Sequence, residues 1–180
     1  MIAPVIETER LILRRWRETD QEPYVAMMLD AQVSDWLGGP FDRAEALARI
    51  GRNEAALEAH GYGRMAMARR TDGRFVGYCG LMPSAETLPF NGAFEVGWSV
   101  AREAWGQGYA TEAARAVFAD GFDRLALQEI LAFTGEANHR SQGVARKLGM
   151  RRSPEQDFDH PALADDHPLK RHIVFVACKP

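Results

Sequence analysis

The residues most able to do chemistry lie at positions 98–110, WSVAREAWGQGYA. They read as the end of a strand, a tight glycine-bearing turn and the first turn of a helix. Gly106 and Gly108 carry no Cβ, so backbone there can take positive φ and approach a bulky ligand closely. The amides from Gly106 to Thr111 then have no intrahelical acceptor and point out of the helix start. Such an end binds anions, phosphate above all. A pyrophosphate-bearing cofactor is the expected ligand. The spacing does not fit the dinucleotide fingerprint, because Thr111 stands where a third Gly or Ala would follow Gly106 and Gly108.

These residues must be positioned by elements that the pattern also supplies. Leu11–Trp16 reads as a first strand, and Thr19 as the cap of a helix running to Leu29 with Tyr24, Met27 and Met28 on one face. Asp42 with Glu45 makes a capping box for a second helix, with Leu47, Ile50 and Leu57 inward and its end near His60-Gly61. Two strands, Met65–Arg70 and Arg74–Met82, flank Asp72-Gly73, a hairpin signal. Ala93–Val100 is a strand, and residues 108–125 a helix with Ala113, Val117 and Phe118 inward. Glu129–Thr134 is a strand, and Asn138–Leu148 a helix stopped by Gly149. After an acidic, proline-containing loop, His172–Cys178 is the last strand. The order β, α, α, β, β, β, α, β, α, β implies a mixed sheet, antiparallel in the middle, with one late βαβ crossover. A doubly wound dinucleotide fold needs more βα units and an earlier strand before its glycines.

Residues 105–110 resemble the acyl-CoA pyrophosphate loop of GNAT-type N-acetyltransferases, Gln/Arg-x-x-Gly-x-Gly/Ala. Gly108 and Ala110 match its last two fixed positions, while Trp105 departs from the first. A second block is similar to the family's next helix, Asn-x-x-Ser/Ala followed by Lys-Leu-Gly-Phe: Asn138, His139, Arg140 and Ser141, then Ala145 to Met150. Residues 8–14 (TERLILR) and 95–98 (EVGW) resemble the RimJ/RimL-like, ribosomal-protein-modifying branch. The pieces stand in the family's order across nearly the whole chain. The resemblance implies one domain over residues 1–180 of the α/β (α+β) class, with the GNAT acyl-CoA N-acyltransferase fold. Its mixed, mostly antiparallel sheet has helices on both faces and central strands, here 93–100 and 129–134, that splay apart. The co-substrate implied is acetyl-CoA. Its pantetheine lies in that gap like a short strand bonded to main chain near Trp98, Ser99 and Val100, and its pyrophosphate on the amides of Trp105, Gly106, Gln107, Gly108, Tyr109, Ala110 and Thr111.

Acetyl transfer to an amine needs a base, because an alkyl ammonium with a pKa of roughly 10 cannot attack. It also benefits from an acid near the departing thiolate and a donor for the developing oxyanion. The resemblance implies direct attack without an acyl-enzyme. Glu95, an acid inside an otherwise apolar strand, is the candidate base or amine ligand, acting through a water; pairing with a basic neighbour is the structural alternative. Asn138 would bond pantetheine, and it is also a good helix cap. The Tyr that many members use as acid falls at Ala145, leaving Ser141 as the nearest hydroxyl and Tyr109 as a more distant one. Arg140 and Arg146 could meet the 3′-phosphate or adenine side of the co-substrate. His160 and His167, in two Asp-His-Pro triplets, fit turns better than a metal site. Cys79 and Trp16 read as core, and Trp36, Phe90 and Asn91 as neighbours of the acceptor site.

Composition narrows the partners. The 180-residue chain is 46% hydrophobic and 26% charged, with net charge −3 and two cysteines. No basic excess favours nucleic acid, no run of 18 apolar residues suggests a membrane span, and the first residues do not read as a signal peptide. A cytoplasmic protein with reduced thiols is expected, as monomer or homodimer, without metal. The acceptor is a primary amine, on a protein N-terminus or a small molecule. A CoA-binding sensor or scaffold with weak catalysis is the alternative, on the strength of Ala145. Asp157, Asp159, Asp165 and Asp166 could favour a cationic acceptor or form a solvated acidic loop.

Overall fold

The computed structural model describes residues 3–180; Met1 and Ile2, where the segment read for a leader begins, lie outside the described residues. The described strands are β1 (Ile6–Glu7), β2 (Leu11–Arg14), β3 (Arg64–Arg69), β4 (Phe75–Pro83), β5 (Phe94–Val100), β6 (Glu129–Gly135), β7 (Arg151–Arg152), β8 (Phe158–Asp159) and β9 (Arg171–Cys178). They form one sheet in the order β1-β2-β3-β4-β5-β6-β9-β7, with β8 beside β9. Helices are α1 (Gln21–Leu29), α2 (Ala31–Ser34), α3 (Arg43–His60), α4 (Tyr109–Asp123) and α5 (His139–Lys147). The short pieces β1, α2, β7 and β8 escape a sequence reading because two to four residues show no periodicity.

The expected long elements form where their patterns place them, with local corrections. The first strand ends at Arg14, not Trp16. Thr19 caps nothing: a 3-10 turn at Glu18–Asp20 precedes α1, and the Asp20 carboxylate accepts from the Arg17 amide at 2.8 Å. Asp20 also takes a bidentate bond from Arg14, at 2.6 and 3.0 Å, with both groups buried. Asp42 caps α3 through the Glu45 amide at 2.8 Å, but the Glu45 carboxylate turns to Arg49 and Arg52 rather than closing the box. Gly61 and Gly149 end α3 and α5 with positive φ.

Every strand pairing is antiparallel except β5 with β6. β5 is zipped to β4 from Gly77↔Val100 to Pro83↔Phe94, yet meets β6 only at Glu95↔Leu131. Beyond that pair the two central strands diverge. A bulge beside Gly77, where the β3–β4 register slips between Met67 and Ala68, bends β4 locally. Gly77 has φ 150°, and a Cβ there would stand 2.2 Å from the Ser99 carbonyl oxygen. β5 thus lies close against β4 at Gly77.

The helices cover both faces. Along β4, Tyr78 packs with Trp16 and with Tyr24 of α1. Leu81, three residues on and so on the opposite face, lies against Gly121 of α4. Register carries the Tyr78 side across the sheet: Arg64, Glu95, Gly97, Ser99, Leu131, Phe133 and His172 share it. The main core joins the sheet to α1, α3, α4 and α5, and a second cluster of Leu88, Phe90, Leu131, Phe158, Val174 and Val176 caps the β6–β9 side.

Candidate active site

The divergence of β5 and β6 opens a cleft of about 1030 Å³. Glu95, Trp98, Ser99 and Val100 line it from β5. Trp105, Gly106, Gly108, Tyr109, Ala110 and Thr111 line it from the following loop and helix start, and Asn138 and Ser141 from α5. Two of the residues read from the sequence lie elsewhere. Gln107 is exposed and does not line the cleft, and exposed Arg146 is turned to Gln142 at 2.9 Å.

The loop has the predicted geometry. Gly106 and Gly108 have φ of 77° and 81°, and Gly108 is the N-cap of α4. The amides of Gly106 through Thr111 donate to no protein acceptor among the described residues. Five of these six residues, all but Gln107, line the cleft, and such donors at a helix start fit a pyrophosphate-bearing ligand.

A clamp that sequence reasoning missed holds this loop. Glu112, in the first turn of α4, accepts from Thr8 Oγ1 at 2.6 Å, from the Arg10 amide at 2.8 Å and from Arg10 Nε at 2.7 Å. Arg10 Nη1 donates to the Gln107 carbonyl at 2.9 Å, and its guanidinium lies 5.0 Å from the Tyr109 ring centre. A trans peptide points its C=O and the next N–H in opposite directions. Fixing the Gln107 carbonyl outward on Arg10 therefore turns the Gly108 amide the other way. Burial pushes the Glu112 carboxyl up, but the bonds from Thr8 and Arg10 outweigh it and hold the group below its ordinary range. The signal was present: Thr8 and Arg10 belong to the TERLILR segment, which the sequence ties to a branch but not to a task.

Trp105, the departure from the family pattern, bridges the mouth of the cleft. Its Nε1 donates to the Val100 carbonyl at 2.7 Å, so one lone pair of that oxygen is used within the protein. The Arg140 guanidinium stacks 4.1 Å from its ring centre. Arg140 thus stands beside the glycine loop, on α5, as a cation lining the cleft.

Glu95 is paired. Arg64 Nη2 donates to its Oε1 at 2.5 Å, and both line the cleft. Burial pushes the Glu95 carboxyl above the ordinary range, and the Arg64 charge and hydrogen bond draw it part of the way back. The basic neighbour and the cleft position hold together. Nothing in the sequence near position 64 signals this partner, because register across β3, β4 and β5 brings it there.

Asn138 is a cap: its Oδ1 accepts from the Ser141 amide at 3.2 Å, and its Nδ2 donates to Thr134 Oγ1 at 3.1 Å. One side-chain N–H remains for a ligand. The Ser141 hydroxyl faces the cleft region with no protein partner among the described residues. Ala145 is buried and lines the same wall without a hydroxyl. Trp36 and His160 line the cleft, whereas His167 accepts from the Leu169 amide and lies outside it. Phe90 belongs to the second core, packed on Phe158, and Asn91 is exposed. Trp16 and Cys79 are core, and burial pushes the Cys79 thiol up to about 12. Among the described residues no three His, Cys, Asp or Glu gather as a metal site, and no helix is long and apolar enough to cross a membrane.

The family model described as "Acetyltransferase (GNAT) domain" matches residues 10–151, which include Arg10 and Glu112 of the clamp, the loop and α5. The chain belongs to the GNAT acetyltransferases. It is an acetyl-CoA-dependent N-acetyltransferase. Its curated relatives include YkkB of Bacillus subtilis, 29% identical over 144 residues, covering 79% of this chain and 83% of that one. A neighbour in fold is the acetyltransferase of Agrobacterium tumefaciens, with TM-score 0.81 and 24% identity, covering 99% and 96% of the two chains. Another is the ribosomal-protein-S5-alanine acetyltransferase of Vibrio fischeri, with TM-score 0.75 and 17% identity, covering 98% and 100%.

Proposed function

We propose that this GNAT enzyme acetylates a primary amine by direct attack in a ternary complex, with Glu95 as base. The observation that carries the reading is that Glu95 is the only carboxylate lining the cleft among the described residues, at the one point where β5 and β6 still pair. The amides of Gly106, Gly108, Tyr109, Ala110 and Thr111 would cradle the pyrophosphate, with Arg140 beside them. The open edge of β5 at Trp98 and Ser99 would bind pantetheine. Acetyl-CoA supplies an activated acyl carbon.

On the acceptor, Glu95 takes a proton from the ammonium through a water. The freed nitrogen pair forms the C–N bond as the C–S bond breaks, and the second amine proton passes from nitrogen to the departing thiolate, giving the amide and free thiol. A carboxyl raised by burial is better matched to that proton than an exposed one, and the Arg64 charge and hydrogen bond oppose part of that rise. Ser141 Oγ, a cleft-lining hydroxyl with no protein partner among the described residues, would donate to the departing sulfur. The RimJ/RimL-like features at residues 8–14 and 95–98 support that branch, and cytoplasmic reduced thiols remain the expected setting.

The test is release of CoA thiol from acetyl-CoA with an amine panel. Glu95→Gln should cut kcat by roughly 100-fold or more while acetyl-CoA binding by calorimetry stays within about twofold. Binding without turnover across N-terminal peptides and small amines would instead favour the sensor reading, to which Ala145 points. Undiminished turnover in Glu95→Gln would remove Glu95 as base.

A further inference from the structure

The four aspartates of the acidic loop do not reach the cleft. Asp157 is bonded to Arg152 and the Val174 amide, Asp159 to Arg171 and Asp165 to Lys170, and none of them, nor Asp166, lines it. The acceptor side is set by the sheet face opposite α4, where Arg64, Glu95, Phe133 and His172 stand in register. Its charged lining is Arg49, Arg64 and Glu95. Glu95 is already neutralised by Arg64, so positive charge is left over on this face.

Both arginines are under-satisfied. Arg64 has five N–H donors and gives one bond, to Glu95, while its buried Nε finds no acceptor. Arg49 stacks on Phe41 at 4.1 Å and gives one 3.1 Å bond to a Glu45 oxygen that Arg52 also uses. Around them the wall is apolar: Trp36, Leu37, Phe133, Leu163 and Leu169. The two imidazoles present, His160 and His172, lie 5.0 Å apart. A polyamine would find no free carboxylate here.

We infer that the acceptor is an amine carrying a carboxylate within two or three bonds, on an apolar or aromatic body, in the manner of an apolar amino acid. Arg64 takes the carboxylate with its remaining fork donors. Because Arg64 and Glu95 touch, a carboxylate seated on Arg64 brings a neighbouring amine to Glu95. Arg49 adds long-range attraction, and the apolar wall receives the side chain. This inference rests on the acetyltransferase reading above.

Thiol release by the wild-type enzyme with phenylalanine, methionine, phenylalaninamide, spermidine and an N-terminal peptide tests it. The free amino acids should exceed phenylalaninamide in kcat/KM by about tenfold or more, since the amide cannot satisfy the arginine. Arg64→Gln and, as a variant remote from Glu95, Arg49→Gln should narrow that gap. Calorimetry gives a readout without turnover: N-acetylphenylalanine should bind the CoA-loaded enzyme more tightly than its amide. Equal or better use of phenylalaninamide, spermidine or the peptide overturns the inference and leaves the acetyltransferase reading standing. Thiol release with none of the amines, despite acetyl-CoA binding, overturns both.

Discussion

Arg10 makes no contact with the reacting atoms, yet the clamp it forms should be measurable in co-substrate affinity. Arg10→Ala removes the bonds to Glu112 Oε2 and to the Gln107 carbonyl but leaves the Arg10 amide and Thr8 on Glu112. The Arg10 side chain is 45% exposed and Glu112 16%, so solvent screens the pair and its share of stability is about 1 kcal/mol. That corresponds to a fall in Tm of about 2–4 °C for a chain of this size. The larger effect is on binding. Once the Gln107 carbonyl is free, the Gly108 amide is no longer aimed, and one charge-assisted bond to phosphate, worth about 1.5–3 kcal/mol, is weakened. The Kd for acetyl-CoA should rise about tenfold or more, with kcat changed only a few-fold. S-acetylpantetheine, which lacks the pyrophosphate, should show no such loss. Glu112→Gln keeps an acceptor for Thr8 and the Arg10 amide but removes the charge, so its effect should be smaller and non-additive with Arg10→Ala. Because Glu112 is held below its ordinary range, its contribution is present at neutral pH and is lost as pH falls through that lowered value. Calorimetry showing wild-type affinity for acetyl-CoA in Arg10→Ala, or an equal loss with S-acetylpantetheine, would refute the reasoning.

Other outcomes follow from the same geometry. Turnover should fall on the acid side as Glu95 is protonated, and Arg64→Gln should move that limb of the kcat/KM profile to higher pH, since the variant keeps the burial and loses the charge that opposes it. Gly77→Ala would place a Cβ 2.2 Å from the Ser99 oxygen; the β4–β5 pairing must open, and chemical unfolding should show a loss of about 2 kcal/mol or more. Burial holds His160 and His172 below their ordinary value. The unfolded chain therefore takes up protons first, and stability present above about pH 6.5 is lost as pH falls through the unfolded value toward the lowered ones. His172→Phe should flatten that part of the Tm–pH curve.

Much of the site was legible from local sequence, because its chemistry is local. Two glycines at a strand–helix junction fix a turn and leave amides unpaired whatever surrounds them, and Asn138 caps the helix that follows it. Hydrophobic pattern located α3, α4 and the long strands for the same reason, and Gly149 marked the end of α5. Local pattern misled at Thr19, where a neighbouring carboxylate on Asp20 had a buried arginine to satisfy, and at Arg146, where a residue four positions away on the same helix supplies its partner. What only the tertiary structure decided are relations across the sheet. Strand register put Arg64 against Glu95, β5 stayed paired to β4 along its length but to β6 at one residue pair, and the fold returned Arg10 to a helix a hundred residues later. These depend on long-range pairing, which a chain's local chemistry does not encode position by position. So the sequence alone determined what the loop can hold, and the packing decided which charges face the acceptor.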